Sequence, residues 1–134
     1  MKAQVKRGLM MLALAGAAVG AHAQAVDGKA LFAKNCAACH QATGLGIPGA
    51  FPALKGDPFV VGDPTPVIAT VLKGRAGMPS FAASLDDEKL GAILTYVRSA
   101  WGNKGNAVAT ADVTTVRSTA SIAPPLHETG TIIH

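Results

Sequence analysis

The sequence predicts an all-α domain, three to four helices whose middle is filled by something other than side chains. Three observations carry that expectation. Apolar residues recur at helical spacing, and no stretch alternates as a half-buried strand would. The part that must fold, Val26 to Trp101, has few aromatics and is of a size that seldom holds together on side chains alone. The only two cysteines stand three apart in NCAACHQ, residues 35–41, and the second is followed directly by histidine.

Residues 1–23 read as a leader. Lys2, Lys6 and Arg7 precede an apolar stretch from Leu9 to Val19, which gives way to the small-x-small ending Ala21-His22-Ala23, the three-part pattern of a secretory signal peptide. Eleven apolar residues are too few for a bilayer crossing, which takes about 20. Cleavage is therefore expected after Ala23, or after Ala25, since Ala23-Gln24-Ala25 has the same form; no membrane anchor then remains and the mature chain is periplasmic. The leader takes three of the twelve Lys and Arg with it, leaving nine against eight Asp and Glu. A mature charge near +1, with no basic run interleaved with aromatics, excludes nucleic acid as a partner.

A first helix is expected from about Asp27 into the cysteine motif, with Val26, Ala30, Phe32 and Ala33 along one face and Gly28 beside Phe32. Residues 41–64 carry so many Gly and Pro that they predict a long structured loop, and such a loop in a small domain is usually functional. Thr65-Pro66 predicts the cap and first position of a short helix buried through Val67, Ile68, Val71 and Leu72 and stopped by Gly74. A second loop, GRAGMPSF, runs from Gly74 to Phe81. The longest helix is expected from Ser84–Asp86 to about Trp101: Asp86, Asp87 and Glu88 complement its N-terminal dipole, and Leu90, Ile93, Leu94 and Val97 form its inward stripe. After a break at Asn103, Gly105 and Asn106, Ala111–Arg117 has room for two helical turns, and the remainder is rich in Pro, Thr and Ser. The chain thus divides into a leader (1–23), a folded domain (24–101) and a partly disordered surface extension (102–134).

Three answers are open for CAACH, residues 36–40: a disulfide or redox pair, half of a metal site, or an attachment point for something large. Export favours a disulfide, and Cys-x-x-Cys is the thioredoxin-like form. That motif heads a helix in a βαβ setting, however, and no strand is visible to supply one. Zinc needs four ligands at matched distances, and beyond Cys36, Cys39 and His40 the mature chain has only His127 and His134. A helical turn does bring residues i and i+3 to neighbouring positions, so that two thiols can add to the two vinyl groups of one haem while the next histidine faces the iron; this is the c-type attachment signature. A second axial ligand is then expected. Met78 is the candidate, because the other methionines lie in the leader and Gly77-Met78-Pro79 can present a thioether rigidly; His127 and His134 are its rivals.

At these residues the chain resembles the class I c-type cytochromes over about residues 26–101. Gly28 and Phe32 are similar to the family's first-helix pair that lets the terminal helices cross closely, with Ile93 and Tyr96 as their partners. The stretch FPALKG, residues 51–56, is similar to the family's Pro-x-Leu-x-Gly, which implies that the Pro52 carbonyl accepts the N–H of His40. GMPSF is similar to the Gly-Met-Pro loop that supplies the sixth ligand. The segment TADVTTVRS, with Trp101-Gly102-Asn103, resembles the stretch after the haem domain in cytochromes associated with bacterial alcohol and other periplasmic dehydrogenases. The resemblance implies the cytochrome c fold and one covalently attached haem c, its iron held by His40 and Met78, its thioethers formed by Cys36 and Cys39, and Pro52 behind the histidine.

An iron capped on both sides leaves no open position for a substrate, and a thioether ligand raises the potential. The expected role is a one-electron carrier rather than an enzyme. Its partners would be redox proteins: a periplasmic or membrane dehydrogenase as donor and a terminal oxidase or reductase as acceptor, with the chain itself a candidate cytochrome subunit of a dehydrogenase. Without Met78 on the iron, a five-coordinate site for gases or peroxide is the competing class; a dithiol oxidoreductase is the third.

Overall fold

The computed structural model describes residues 25–122; the leader with its cleavage site, and residues 123–134 with His127 and His134, lie outside the described residues. Among the described residues there are six α-helices and no strand, only two isolated bridges, Ile47 with Phe51 and Arg75 with Met78. The expected all-α class is what is found. It has more helices than the three to four expected, because two are single turns.

Helix α1, Gly28–Asn35, starts where Asp27 accepts the Ala30 N–H at 3.0 Å, satisfying one of the first-turn donors. It does not run unbroken into the cysteine motif. Cys36 leaves helical geometry at φ −125°, and a separate turn, α2, Ala37–His40, comes next. The Gly- and Pro-rich loop contains one more turn, α3, Pro58–Val61. Helix α4, Pro64–Lys73, begins two residues earlier than Thr65-Pro66 suggested: Asp63 caps it by accepting the Thr65 N–H at 2.8 Å, and Pro64 takes the position where a missing N–H costs nothing. Gly74 ends it at φ 77°. Helix α5, Asp87–Ser99, is capped by Asp86, which accepts the Lys89 N–H at 2.8 Å.

The first and fifth helices cross at Gly28. A methyl group there would stand 2.1 Å from the Ala92 carbonyl oxygen, so only hydrogen permits the approach. Next to the crossing, Phe32 is buried against Tyr96 and Trp101, with the three ring centroids 5.4–5.7 Å apart in tilted and edge-on pairs. Ile93 is buried in the same layer, and Ile68, Leu72, Leu90 and Leu94 continue the core towards α4.

The segment after Trp101 is not a surface extension. A 3₁₀ turn, Ala100–Gly102, with Trp101 at φ 55°, reverses the chain. The buried Asn103 then turns inward, Val108 packs over Gly91, and Thr95 Oγ1 accepts the Val108 N–H at 2.9 Å. Helix α6, Thr110–Ile122, lies on α4 and α5 and is as long as α5. Its Val113 is fully buried, which contributes about 1.5 kcal/mol and accounts for a helix longer than the two turns anticipated. The buried Arg98 guanidinium ties the return to the loop side, donating to the Asn106 carbonyl at 2.8 Å and to that of Val60 at 2.6 Å.

Candidate functional site

Helix α2 fixes the CAACH geometry. The Cys39 and His40 N–H groups both donate to the Cys36 carbonyl, at 3.2 and 3.0 Å, winding the motif into one tight turn. Both thiols are free and half-buried. Burial, and then the neighbouring Cys39, push the Cys36 thiol up to about 11, so it stays protonated at neutral pH. Dithiol oxidoreductases need the opposite, a thiol pushed down into the thiolate form. Two free thiols one turn apart instead suit addition across carbon–carbon double bonds, in which each S–H and its alkene are the only groups consumed.

His40 comes next at 9% exposure, and its Nδ1–H donates to the Pro52 carbonyl at 2.9 Å. A carbonyl can only accept, so the proton sits on Nδ1. Nε2 is left as the lone-pair nitrogen, the arrangement in which a partner behind the ring makes an imidazole a better-oriented metal donor. The loop that carries Pro52 is itself fixed. The Gly44 carbonyl accepts from Leu54 and Lys55 at 2.7 and 2.9 Å, and Gly46 N–H donates to the His40 carbonyl at 2.9 Å. Gly46 has φ 62°, and a side chain there would meet the Phe51 and Pro52 carbonyls at 2.4–2.5 Å. The glycine therefore lets the loop fold back onto the histidine.

Met78 is held on a different element. Its N–H and carbonyl exchange bonds with Arg75 at 2.9 and 3.0 Å, closing a tight turn with Ala76 at φ 51°. The exit is pinned to α4 by Ser80 Oγ on the Leu72 carbonyl at 2.5 Å and Phe81 N–H on that of Val71 at 3.0 Å. The side chain is half-buried. Cys36, Cys39, His40 and Pro52 are thus joined by direct hydrogen bonds or one turn of helix, whereas Met78 makes none of its bonds to that group. Among the described residues no three His, Cys, Asp or Glu side chains converge on a point fit for a bare metal ion.

Large apolar side chains stand exposed on the loop that carries Pro52: Leu45 at 56%, Ile47 at 41% and Phe51 at 37%. Leu45, Phe51 and Pro52 line one shallow groove there. An apolar wall, two free thiols, an oriented imidazole and a thioether on a braced loop together fit a covalently bound haem.

Two residues that hold this site carried no sequence signal of doing so. Asn103 accepts the Gly56 N–H on its Oδ1 at 2.8 Å and donates to the Leu54 and Val97 carbonyls at 3.1 and 2.8 Å. It locks the Pro52 loop to the end of α5. Trp101 donates from Nε1 to the Ala42 carbonyl at 3.0 Å and lays its ring over Gly44.

The family described as cytochrome C oxidase, cbb3-type, subunit III matches residues 23–97. The cytochrome c subunit of a quinone alcohol dehydrogenase from Gluconacetobacter polyoxogenes is 33% identical over 107 residues; the alignment covers 70% of this chain and only 23% of that protein. The chain therefore spans about a quarter of that relative's length. Cytochrome c-552 from Thermus thermophilus is 37% identical over 115 residues and is covered to 74%, as is this chain. Among solved structures, cytochrome c6 from the diatom Phaeodactylum tricornutum aligns with a TM-score of 0.45 at 26% identity, over 66% of this chain and 93% of that one.

Proposed function

Since the chain belongs to the family of cbb3-type cytochrome c oxidase subunit III domains and carries haem c, we propose that it is a one-electron carrier whose iron is held by His40 and Met78 and whose porphyrin is bonded to Cys36 and Cys39. The single observation that carries this reading is the 2.9 Å bond from His40 Nδ1 to the Pro52 carbonyl, directly after two half-buried thiols. It leaves one ring nitrogen, in a defined direction, for a metal. Haem supplies an iron that takes up and releases one electron. The protein's part is to change little when that happens. Pro52 keeps the imidazole in one orientation and tautomer, the Arg75–Met78 turn keeps the thioether in place, and the apolar loop excludes water. A Met/His ligand pair shifts the potential upward.

The proposal extends to place and partners. The leader is removed after Ala23 or Ala25 on export to the periplasm, and residues 24–101 form the haem domain, which the return through α6 completes. The donor is a quinone-linked dehydrogenase of the kind whose cytochrome subunit resembles this chain, and the acceptor is a terminal oxidase or reductase. The chain acts as a free carrier or as the cytochrome subunit of such a dehydrogenase, and is not itself an enzyme.

Protein matured in an exporting host with the haem-attachment machinery tests the site. The oxidised form should show a near-infrared sulfur-to-iron charge-transfer band that Met78→Ala abolishes. The covalent haem mass should persist after denaturation, and should be lost when both cysteines are replaced by alanine. A native protein without the band would be five-coordinate or ligated otherwise, and the carrier reading would fall.

A further inference from the structure

The turn beyond Met78 is gripped from outside the region the family match covers. Past Ser80 and Phe81 the chain makes a turn in which the Ser84 and Leu85 N–H groups donate to the Phe81 carbonyl at 3.2 and 3.0 Å, and α5 then begins. Arg117 reaches into this turn from α6. Its Nη1 donates to the Ala82 carbonyl at 2.7 Å, Nη2 to that of Leu85 at 2.7 Å, and Nε to Asp87 Oδ1 at 2.6 Å. The other Asp87 oxygen accepts from Thr114 Oγ1 at 2.6 Å. These hydrogen bonds, from Thr114 and then Arg117, hold the Asp87 carboxyl below its usual range, so it stays ionised at neutral pH. A guanidinium presents its donors in a rigid plane, and here they span two carbonyls and a carboxylate. The relative positions of residues 82, 85 and 87 are set by one side chain, 30 residues away from Asp87.

The geometry points to Arg117 as a positioning residue that keeps the Met78 loop closed on the iron, an inference that rests on reading Met78 as the sixth ligand. The turn is continuous with Met78 through Pro79 and Ser80, and its other anchor is α4, on which α6 also packs. The lever is therefore short. A ligand from solution reaches the iron only in molecules whose loop has opened, so its apparent affinity measures the open fraction. Releasing the turn from α6 raises that fraction. A helix that served only to bury Val113 would add stability and leave the open fraction of the native protein alone.

Oxidised holoprotein is titrated with imidazole, and binding is followed by loss of the near-infrared band. Arg117→Ala should bind imidazole about tenfold more tightly than the unsubstituted protein, and Arg117→Lys, which keeps the charge but cannot fork between two carbonyls, should fall between. Arg117→Lys carries the test by itself if Arg117→Ala does not fold. Asp27→Ala, which removes the N-terminal cap of α1, lowers thermal stability on another element and should leave imidazole affinity unchanged. If the Arg117 variants lose thermal stability as Asp27→Ala does while their affinity stays within about twofold of the parent, the positioning role is overturned and Met78 ligation stands. A parent protein that lacks the band, or keeps it in Met78→Ala, overturns the ligation reading and the clamp with it.

Discussion

Asn103 makes three hydrogen bonds from one amide, and all three end on backbone groups of the Pro52 loop or of α5. Replacing it with alanine leaves the Gly56 N–H and two carbonyls without partners, one of them on a buried bond. The expected loss is about 3 kcal/mol of unfolding free energy, read from the denaturant midpoint of the holoprotein. Cys36, Cys39, His40 and Met78 stand out in the sequence because the proposed attachment and coordination demand particular atoms in particular settings, and Pro52 only through its likeness to the family's Pro-x-Leu-x-Gly. Asn103 and Arg98 could not. Their partners are main-chain groups, the most distant 47 to 49 and 38 residues away, which any residue type supplies and no spacing rule announces. Cys36 adds a different lesson: its raised thiol range arises from burial that only the folded chain reveals.

The crossing of α1 and α5 is the element-scale feature on which the fold turns. Gly28→Ala drives a methyl group into the Ala92 carbonyl, backbone against backbone, with no flexible side chain to move aside. The two helices must separate, at a cost of about 3 kcal/mol, at the upper end for overpacking, and the thermal midpoint should fall accordingly. Sequence spacing placed Gly28 and Phe32 on one face and gave Leu90, Ile93, Leu94 and Val97 as a complete stripe, whereas the crossing itself was legible only through the family resemblance. Helix α6 was only half legible. TADVTTVRSTASI has weak helix formers, Thr, Ser and Val, and few apolar positions, and tertiary packing of Val113 on α4 and α5 overrides that poor propensity. The start of α4 was misplaced for a smaller reason: Asp63-Pro64 and Thr65-Pro66 carry equivalent cap-and-proline signals, and the earlier pair wins.

For the molecule as a whole, removal of the proposed leader would leave nine Lys and Arg against eight Asp and Glu, and so little long-range field to steer a partner. Its electron-transfer rate with a redox partner should change less than about threefold between 0.02 and 0.5 M salt in stopped-flow measurements, where a charge-steered pair would lose far more. The expected division at residue 101 misjudged the chain because composition changes there while packing does not: the return through Asn103 and Val108 is as much part of the core as α4. The ring of Trp101 lies against Phe32 and Tyr96 and over Gly44, and its N–H reaches Ala42, so the molecule's single indole is wedged where the beginning and the end of the domain are brought face to face. It is a built-in stopwatch, since the emission of this one indole, with no label added, times the moment at which α1, the end of α5 and the loop at Ala42 and Gly44 snap shut.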